Sequence, residues 1–152
     1  MSENNTLQNG VHLTSEEIEK SEQIKKRRRQ TTAQLPVFRD LSNLLYQATI
    51  ATERCPRKLS KYTDCLLSNL NDALIATAYA NESRGEERES SLKSAIASAY
   101  VIRTQFVILE RRNVISKDTY NLSKKVIERI IAQFMAWRDY TNRQGRQEGY
   151  VL

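Results

Sequence analysis

Residues 86–144 read EERESSLKSAIASAYVIRTQFVILERRNVISKDTYNLSKKVIERIIAQFMAWRDYTNRQ and contain neither glycine nor proline. The whole chain of 152 residues has four glycines and two prolines, whereas average usage would supply about eighteen of the two together. Folds built on sheets need many tight turns, and tight turns use these two residues. The composition therefore predicts an all-α protein and argues against sandwiches, barrels and doubly wound sheets.

Apolar residues at spacings of three and four predict four helices between residues 35 and 144. Pro36 suits the first position of the first helix, and Pro56 ends that helix. Gly85 separates the second helix from the third, and Ser116 is the expected N-cap of the fourth. The four apolar stripes are Phe38, Leu41, Leu45, Ala48 and Thr52; Leu59, Tyr62, Leu66, Leu70, Ala73, Thr77 and Ala80; Leu92, Ala95, Ala99, Ile102, Phe106 and Leu109; and Ile127, Ile130, Phe134 and Trp137. Short connections between such helices predict an up-down-up-down four-helix bundle.

The two ends of the chain differ from this bundle. Residues 1–34 are charged, have few large apolar side chains and include the basic run Lys25–Arg29. Thr14 followed by Glu17 predicts a capping box, and hence a short helix over residues 15–29. We therefore expect a partly disordered or short-helical appendage over residues 1–34, and a flexible tail over residues 145–152.

The residues that most catalytic and metal sites need are scarce. The single histidine, His12, lies in the appendage, so the bundle has neither a Cys–His pair nor a Glu-x-x-His di-iron motif. Cys55 and Cys65 are ten residues apart, too far for a Cys-x-x-Cys pair. One histidine and two cysteines cannot close a zinc site. We expect no catalytic residues, no metal and no cofactor.

The chain begins with polar residues, and no uninterrupted apolar run approaches the roughly 18 residues of a membrane span. We therefore expect a cytoplasmic protein that has free thiols and does not contact a membrane. The 24 basic residues exceed the 18 acidic ones, which gives a net charge of +6. This excess points to an acidic partner, and nucleic acid is the first such partner to consider.

An up-down bundle brings its first and third connections to the same end. We call the seven basic residues of these connections the basic corner: Arg54, Arg57, Lys58, Lys61, Arg111, Arg112 and Lys117. Lys124 and Lys125 follow along the fourth helix. Cations at helix N-termini, such as Lys61 and Lys117, are disfavoured by the helix dipole, which indicates selection by a ligand. The alternative is a solvated basic rim. Tyr62 and Tyr120 begin helices near this end, either to stack on bases or to pack in the core.

Several short motifs, in their order and spacing, resemble the Avd proteins, the accessory variability determinants of diversity-generating retroelements. The resemblance extends to the wider four-helix-bundle family that includes the ribosomal-RNA intervening-sequence proteins, and it covers about residues 35–140. The motifs are Leu35-Pro36-Val37-Phe38; Pro56-Arg57 with Tyr62; Ala80-Asn81; Ile115-Ser116 with Tyr120; and Gln133 with Trp137.

This resemblance implies a homopentamer with a basic surface and no catalytic centre. The assembly would bind the reverse transcriptase and nucleic acid, RNA and possibly DNA, to support copying of a template RNA into adenine-mutagenised cDNA. Arg57, Lys58 and Lys61 lie within a matching motif, whereas the other candidate residues follow from the topology. Two alternatives stay open: a protein-interaction bundle that binds an acidic partner without nucleic acid, and a ribosomal-RNA-associated bundle of the wider family.

Overall fold

The computed structural model describes residues 14–28 and 31–148, and all regular structure within those residues is helical. Their five α-helices are α1 (Ser15–Arg28), α2 (Pro36–Ala51), α3 (Ser60–Glu82), α4 (Gly85–Arg111) and α5 (Lys117–Glu148). Short 3₁₀ turns span Thr32–Gln34 and Arg57–Leu59. The prediction of an all-α protein is confirmed, and the four predicted helices correspond to α2–α5.

The chain divides into two compact units, residues 1–31 and residues 32–152. Within the first unit, α1 begins with the predicted capping box. The amide of Thr14 donates to Oε2 of Glu17 over 2.9 Å, and the amide of Glu17 donates to Oγ1 of Thr14 over 3.3 Å. The hydrogen bond from the Thr14 backbone is the main reason that the pKa of Glu17 is lowered. The basic run lies in α1 as far as Arg28, and Arg29 lies outside the described residues.

The second unit begins at residue 32, three residues before the predicted start of the bundle at residue 35. The turn Thr32–Gln34 packs against α2 and α3. Nδ2 of Asn81, near the end of α3, donates to Oγ1 of Thr32 over 3.1 Å. This side-chain contact joins the turn to α3, and no local pattern in the sequence identifies a partner so distant along the chain.

Helices α2–α5 surround one shared core. The most extensive contact is between α3 and α4, followed by α4 with α5, while α2 packs against both α3 and α5. Among the described residues, no Cα atom of α2 lies within 8 Å of one in α4, and none of α3 lies within 8 Å of one in α5. The largest fully buried side chains come from all four helices: Leu41, Leu66, Leu70, Leu92, Ile102, Phe106, Leu109, Ile127, Ile130 and Phe134. Buried alanines such as Ala73 and Ala95 leave room for the close contact between α3 and α4.

The core differs from the predicted stripes mainly in α2. Phe38 and Leu45 are half-buried, whereas Val37 and Leu44 are buried beside Leu41. This helix carries apolar residues on two adjacent lines, and spacing alone cannot choose between them. Leu59, Tyr62 and Trp137 are also half-buried rather than buried, although Tyr62 and Trp137 still pack against the core.

The connections between the helices use few residues and defined backbone conformations. Gly85 has a φ of 60° at the start of α4, a left-handed conformation that glycine adopts without a Cβ clash. Asn113 has a φ of 59° after α4, so an asparagine makes the turn in the connection that lacks glycine and proline. The amide of Thr119 donates to Oγ of Ser116 over 3.1 Å, which confirms Ser116 as the N-cap of α5.

Helix α5 continues to Glu148, so residues 145–148 of the predicted flexible tail are helical. The buried face of α5 extends from Phe134 through Thr141 to Gly145. The hydroxyl of Thr141 donates to the carbonyl of Trp137 over 2.9 Å, so the buried polar group is satisfied within the helix. Small and polar residues thus continue a face that apolar periodicity does not reveal. Residues 149–152 lie outside the described residues.

Of the described helices, only α4 is long and apolar enough to cross a membrane by length and composition. Its most apolar 18-residue stretch has a mean hydropathy of 1.2, and 39% of that stretch is buried in the protein. This helix contains no long uninterrupted apolar run, because Lys93 and Arg103 lie within its apolar stretch. The central helix of a soluble protein passes the same test, and α4 packs against both α3 and α5.

Candidate nucleic-acid interface

The connection between α2 and α3 carries four of the predicted site residues, and all four are exposed. Arg54 follows α2, Arg57 and Lys58 lie in the 3₁₀ turn, and Lys61 lies in the first turn of α3. Pro56 precedes the turn in an extended conformation, and its carbonyl accepts a hydrogen bond of 2.9 Å from the amide of Leu59. The compact turn therefore holds four cations within eight residues of chain at the surface.

The connection between α4 and α5 carries three more exposed site residues. Arg111 ends α4, Arg112 caps it and Lys117 begins α5. The amide of Arg112 donates to the carbonyl of Ile108 over 2.9 Å, so the helical hydrogen bonding continues to the cap. The left-handed turn at Asn113 then leads to the N-cap Ser116, which fixes where Lys117 starts the next helix.

A groove between α2 and α5 relates the two connections in space. Ile50 and Ala51, at the end of α2, line this groove together with Thr119 and Leu122 in the first turns of α5. The end of α2 therefore lies beside the start of α5. Arg54 lies three residues after Ala51, which lines one wall of the groove. Lys117 lies two residues before Thr119, which lines the other wall.

Within the described part of the chain, none of the nine predicted site residues forms an ion pair with a carboxylate. Ion pairs occur elsewhere, for example between Lys93 and Glu89 over 3.7 Å. Exposed cations that have no carboxylate partner keep their charge available for phosphate oxygens, which release counterions when they are neutralised.

Lys124 and Lys125 are both exposed but lie on different sides of α5. Consecutive helical residues are rotated by about 100°. Lys124 follows Lys117 by two turns and lies on the same side of the helix. Lys125 lies one turn beyond Leu122, which lines the groove. The two lysines therefore extend the basic charge along different sides of α5.

The two tyrosines at this end of the protein are half-buried. Both Tyr62 and Tyr120 pack against the core. Nζ of Lys61 lies 5.4 Å from the centroid of the Tyr62 ring, within the range of a cation–π contact. These contacts favour core packing over base stacking for both side chains.

Within residues 14–28 and 31–148, no three His, Cys, Asp or Glu side chains come together as a possible metal site. Cys55 is half-buried and Cys65 is exposed, and both are free thiols. No family model, no curated protein and no solved structure is significantly similar to this chain. The resemblance to the Avd proteins therefore rests on the sequence motifs alone.

Sequence reasoning missed a polar contact that joins α2 to α5. Asp40 accepts hydrogen bonds of 3.0 Å each from Nε and Nη2 of Arg129, and one of 2.7 Å from Nε2 of Gln133. The bonds from Arg129 are the main reason that the pKa of Asp40 is lowered, against the opposing effect of burial. They also raise the pKa of Arg129. The spacing of Arg129 and Gln133 puts both on one helical face, but nothing local identifies their partner.

Replacing Asp40 with asparagine is expected to lower stability at neutral pH and to have less effect in acid. The folded-state pKa of Asp40 is lowered from 3.8, so its contribution is full above that value and is lost as the pH falls through the lower pKa. Urea denaturation of the wild type and of Asp40→Asn at about pH 7 and about pH 3 measures this difference. The exposed Asp72→Asn on α3 is the control. An Asp40→Asn effect that stays constant between the two pH values would contradict the assignment.

Proposed function

We propose that the chain is a non-enzymatic nucleic-acid-binding accessory subunit of a diversity-generating retroelement. It would associate with the reverse transcriptase and with template RNA or cDNA, and so support mutagenic retrohoming. The observation that supports this proposal is the basic corner: seven exposed cations on two connections, none ion-paired within the described residues. The motifs shared with the Avd proteins supply the biological setting.

We infer further that α2–α5 run up-down-up-down, because contacts join the start of one helix to the end of another. Thr32, just before α2, bonds to Asn81 near the end of α3. Oε1 of Glu89, in the second turn of α4, lies 3.2 Å from Nδ2 of Asn142, late in α5, when the side-chain amide of Asn142 is oriented to donate to it. These pairings support antiparallel neighbours, an arrangement that would bring the first and third connections to the same end. The N-terminal unit would then be an appendage to the bundle.

The mechanism is electrostatic positioning of RNA or cDNA on the basic corner. Arg and Lys side chains that neutralise phosphates release counterions, so affinity falls as salt is added. Filter binding of RNA to the full chain at low and at moderate salt tests this proposal. We expect strong salt dependence, whereas no binding at low salt would contradict it. A ring of copies, five by the Avd resemblance, and a cytoplasmic location belong to the same proposal.

A second candidate is a protein-interaction bundle that does not bind nucleic acid. The observation that favours it is the apolar groove between α2 and α5. Charge reversal at Arg57, Lys58 and Lys61 that abolishes capture of a protein partner and leaves RNA binding unchanged would favour this candidate. For a ribosomal-RNA-associated bundle, the distinguishing observation is a genomic neighbourhood without a reverse-transcriptase gene and without paired repeats that differ at adenines.

A further inference from the structure

The groove between α2 and α5 is a cleft of about 460 Å³ that runs along both helices. Asn43, Gln47 and Ile50 of α2 line it, as do Leu122 and Val126 of α5. It extends from Asp40 to Ala51 along α2, a helical rise of about 16 Å or three turns. The Asp40–Arg129 contact bridges the two helices at one end, and the other end reaches the basic corner.

Large apolar side chains along this groove are exposed to solvent. Leu122 is 66% exposed and Ile50 is 49% exposed, and these residues come from opposite walls. Apolar side chains clustered along a cleft and edged by polar groups are typical of a binding surface.

The edges of the groove carry cations. Arg39, which is exposed, lies close enough to Asp40 to help lower its pKa. Lys125 follows Leu122 of the α5 wall by three residues, Arg54 follows Ala51 of the α2 wall by three, and Lys117 precedes Thr119 by two. None of these four cations is ion-paired within the described residues. The nearby carboxylates are fewer: Asp40 is engaged by Arg129, which leaves Glu53 and Asp118.

We propose that this groove binds an acidic amphipathic α-helix of a partner protein. Apolar side chains of that helix, at spacings of three, four and seven, would pack between Ile50 and Leu122, as in other helix-in-groove complexes. Its carboxylates would meet the cations at the edges. A length of three turns matches the groove. The inference goes beyond the proposed function, because it needs no nucleic acid.

Charge argues against a second copy of the chain that is joined to the first groove to groove, whereas a ring of copies uses two different faces of each copy. The chain has a net charge of +6, and two copies joined groove to groove would bring the same edge cations together. RNA fits the edges but not the exposed apolar walls, which offer little to a phosphate backbone. An acidic amphipathic helix has apolar side chains that can pack against the walls and carboxylates that can pair with the cations at the edges.

A display library of random peptides about sixteen residues long, selected on the immobilised full chain, tests the proposal. We expect the selected peptides to share apolar residues at helical spacing together with Asp or Glu. Leu122→Asp and Ile50→Asp should each weaken their binding at least about tenfold, since burying one such side chain contributes that much. The control is Val101→Asp on α4, whose side chain is also 49% exposed. It should bind like the wild type.

Each of the following results would overturn the proposal. The selected peptides could bind Leu122→Asp and Val101→Asp equally well. They could also be basic, or lack apolar residues at helical spacing. Leu122→Asp could abolish RNA binding without affecting peptide binding, which would make the groove an RNA site. Self-association of the wild type could depend on Leu122 while no peptide binds, which would make the occupant a second copy. RNA binding measured on the same variants separates failure of this proposal from failure of the proposed function.

Discussion

Replacing Arg57, Lys58 and Lys61 together with glutamate is expected to weaken RNA binding about a hundredfold or more at low salt, because each residue would turn from a phosphate partner into a repulsive charge. The dependence of log affinity on log salt should also become flatter, by about two units for single-stranded RNA, because roughly 0.7 is lost for each phosphate contact. Filter binding at several salt concentrations measures both effects. The three side chains are exposed, so the variant is expected to stay folded.

A matched variant tests whether RNA binding depends on where the charges lie or only on the net charge of the chain. Arg84, Arg143 and Arg146 are also exposed, lie outside the basic corner, and change the net charge by the same amount when replaced with glutamate. Each reversal removes two charges, so either triple variant takes the chain from +6 to zero. We expect the control to keep most of the affinity and the full salt dependence. Equal losses in the two variants would mean that net charge, and not the basic corner, drives binding.

Phe134→Ala is expected to cost about 3–5 kcal/mol of unfolding free energy, because it removes a large side chain from a closely packed interior. Phe134 is fully buried in α5, within the cluster to which α2, α3 and α4 also contribute. A loss of this size is a large part of the roughly 5–15 kcal/mol that stabilises a typical domain. Urea denaturation followed by circular dichroism measures it.

Leu122→Ala, on the same helix, is the control for this experiment. Its side chain is 66% exposed, so we expect a change within about 0.5 kcal/mol. If Phe134→Ala were no more destabilising than Leu122→Ala, the core described for α2–α5 would be wrong.

The helices were predictable because their signals are local. Apolar spacing identified the buried face of α4, and Pro36, Gly85 and Ser116 marked helix ends that the structure contains. The signal failed where a helix carries two apolar lines, as in α2, since only the neighbouring helices choose between Val37 and Phe38. It also failed at the end of α5, where the buried residues are small or polar.

The candidate site was predictable only in part. Cations in short connections are exposed almost wherever the connections lie, so the composition of the basic corner followed from the sequence. The sides of the bundle on which Lys124 and Lys125 lie depend on how α5 is rotated relative to α2. The contact of Asp40 with Arg129 joins residues 89 positions apart, and the groove depends on the same pairing of helices. Such features arise from tertiary packing, which no local pattern encodes.

The salt dependence of RNA binding by the wild-type chain tests the central claim most directly. If all seven cations of the basic corner contact phosphates of single-stranded RNA, log affinity should fall against log salt with a slope of about −5. A slope near zero, or no binding at low salt, would contradict the claim that this protein acts by holding nucleic acid on its basic corner.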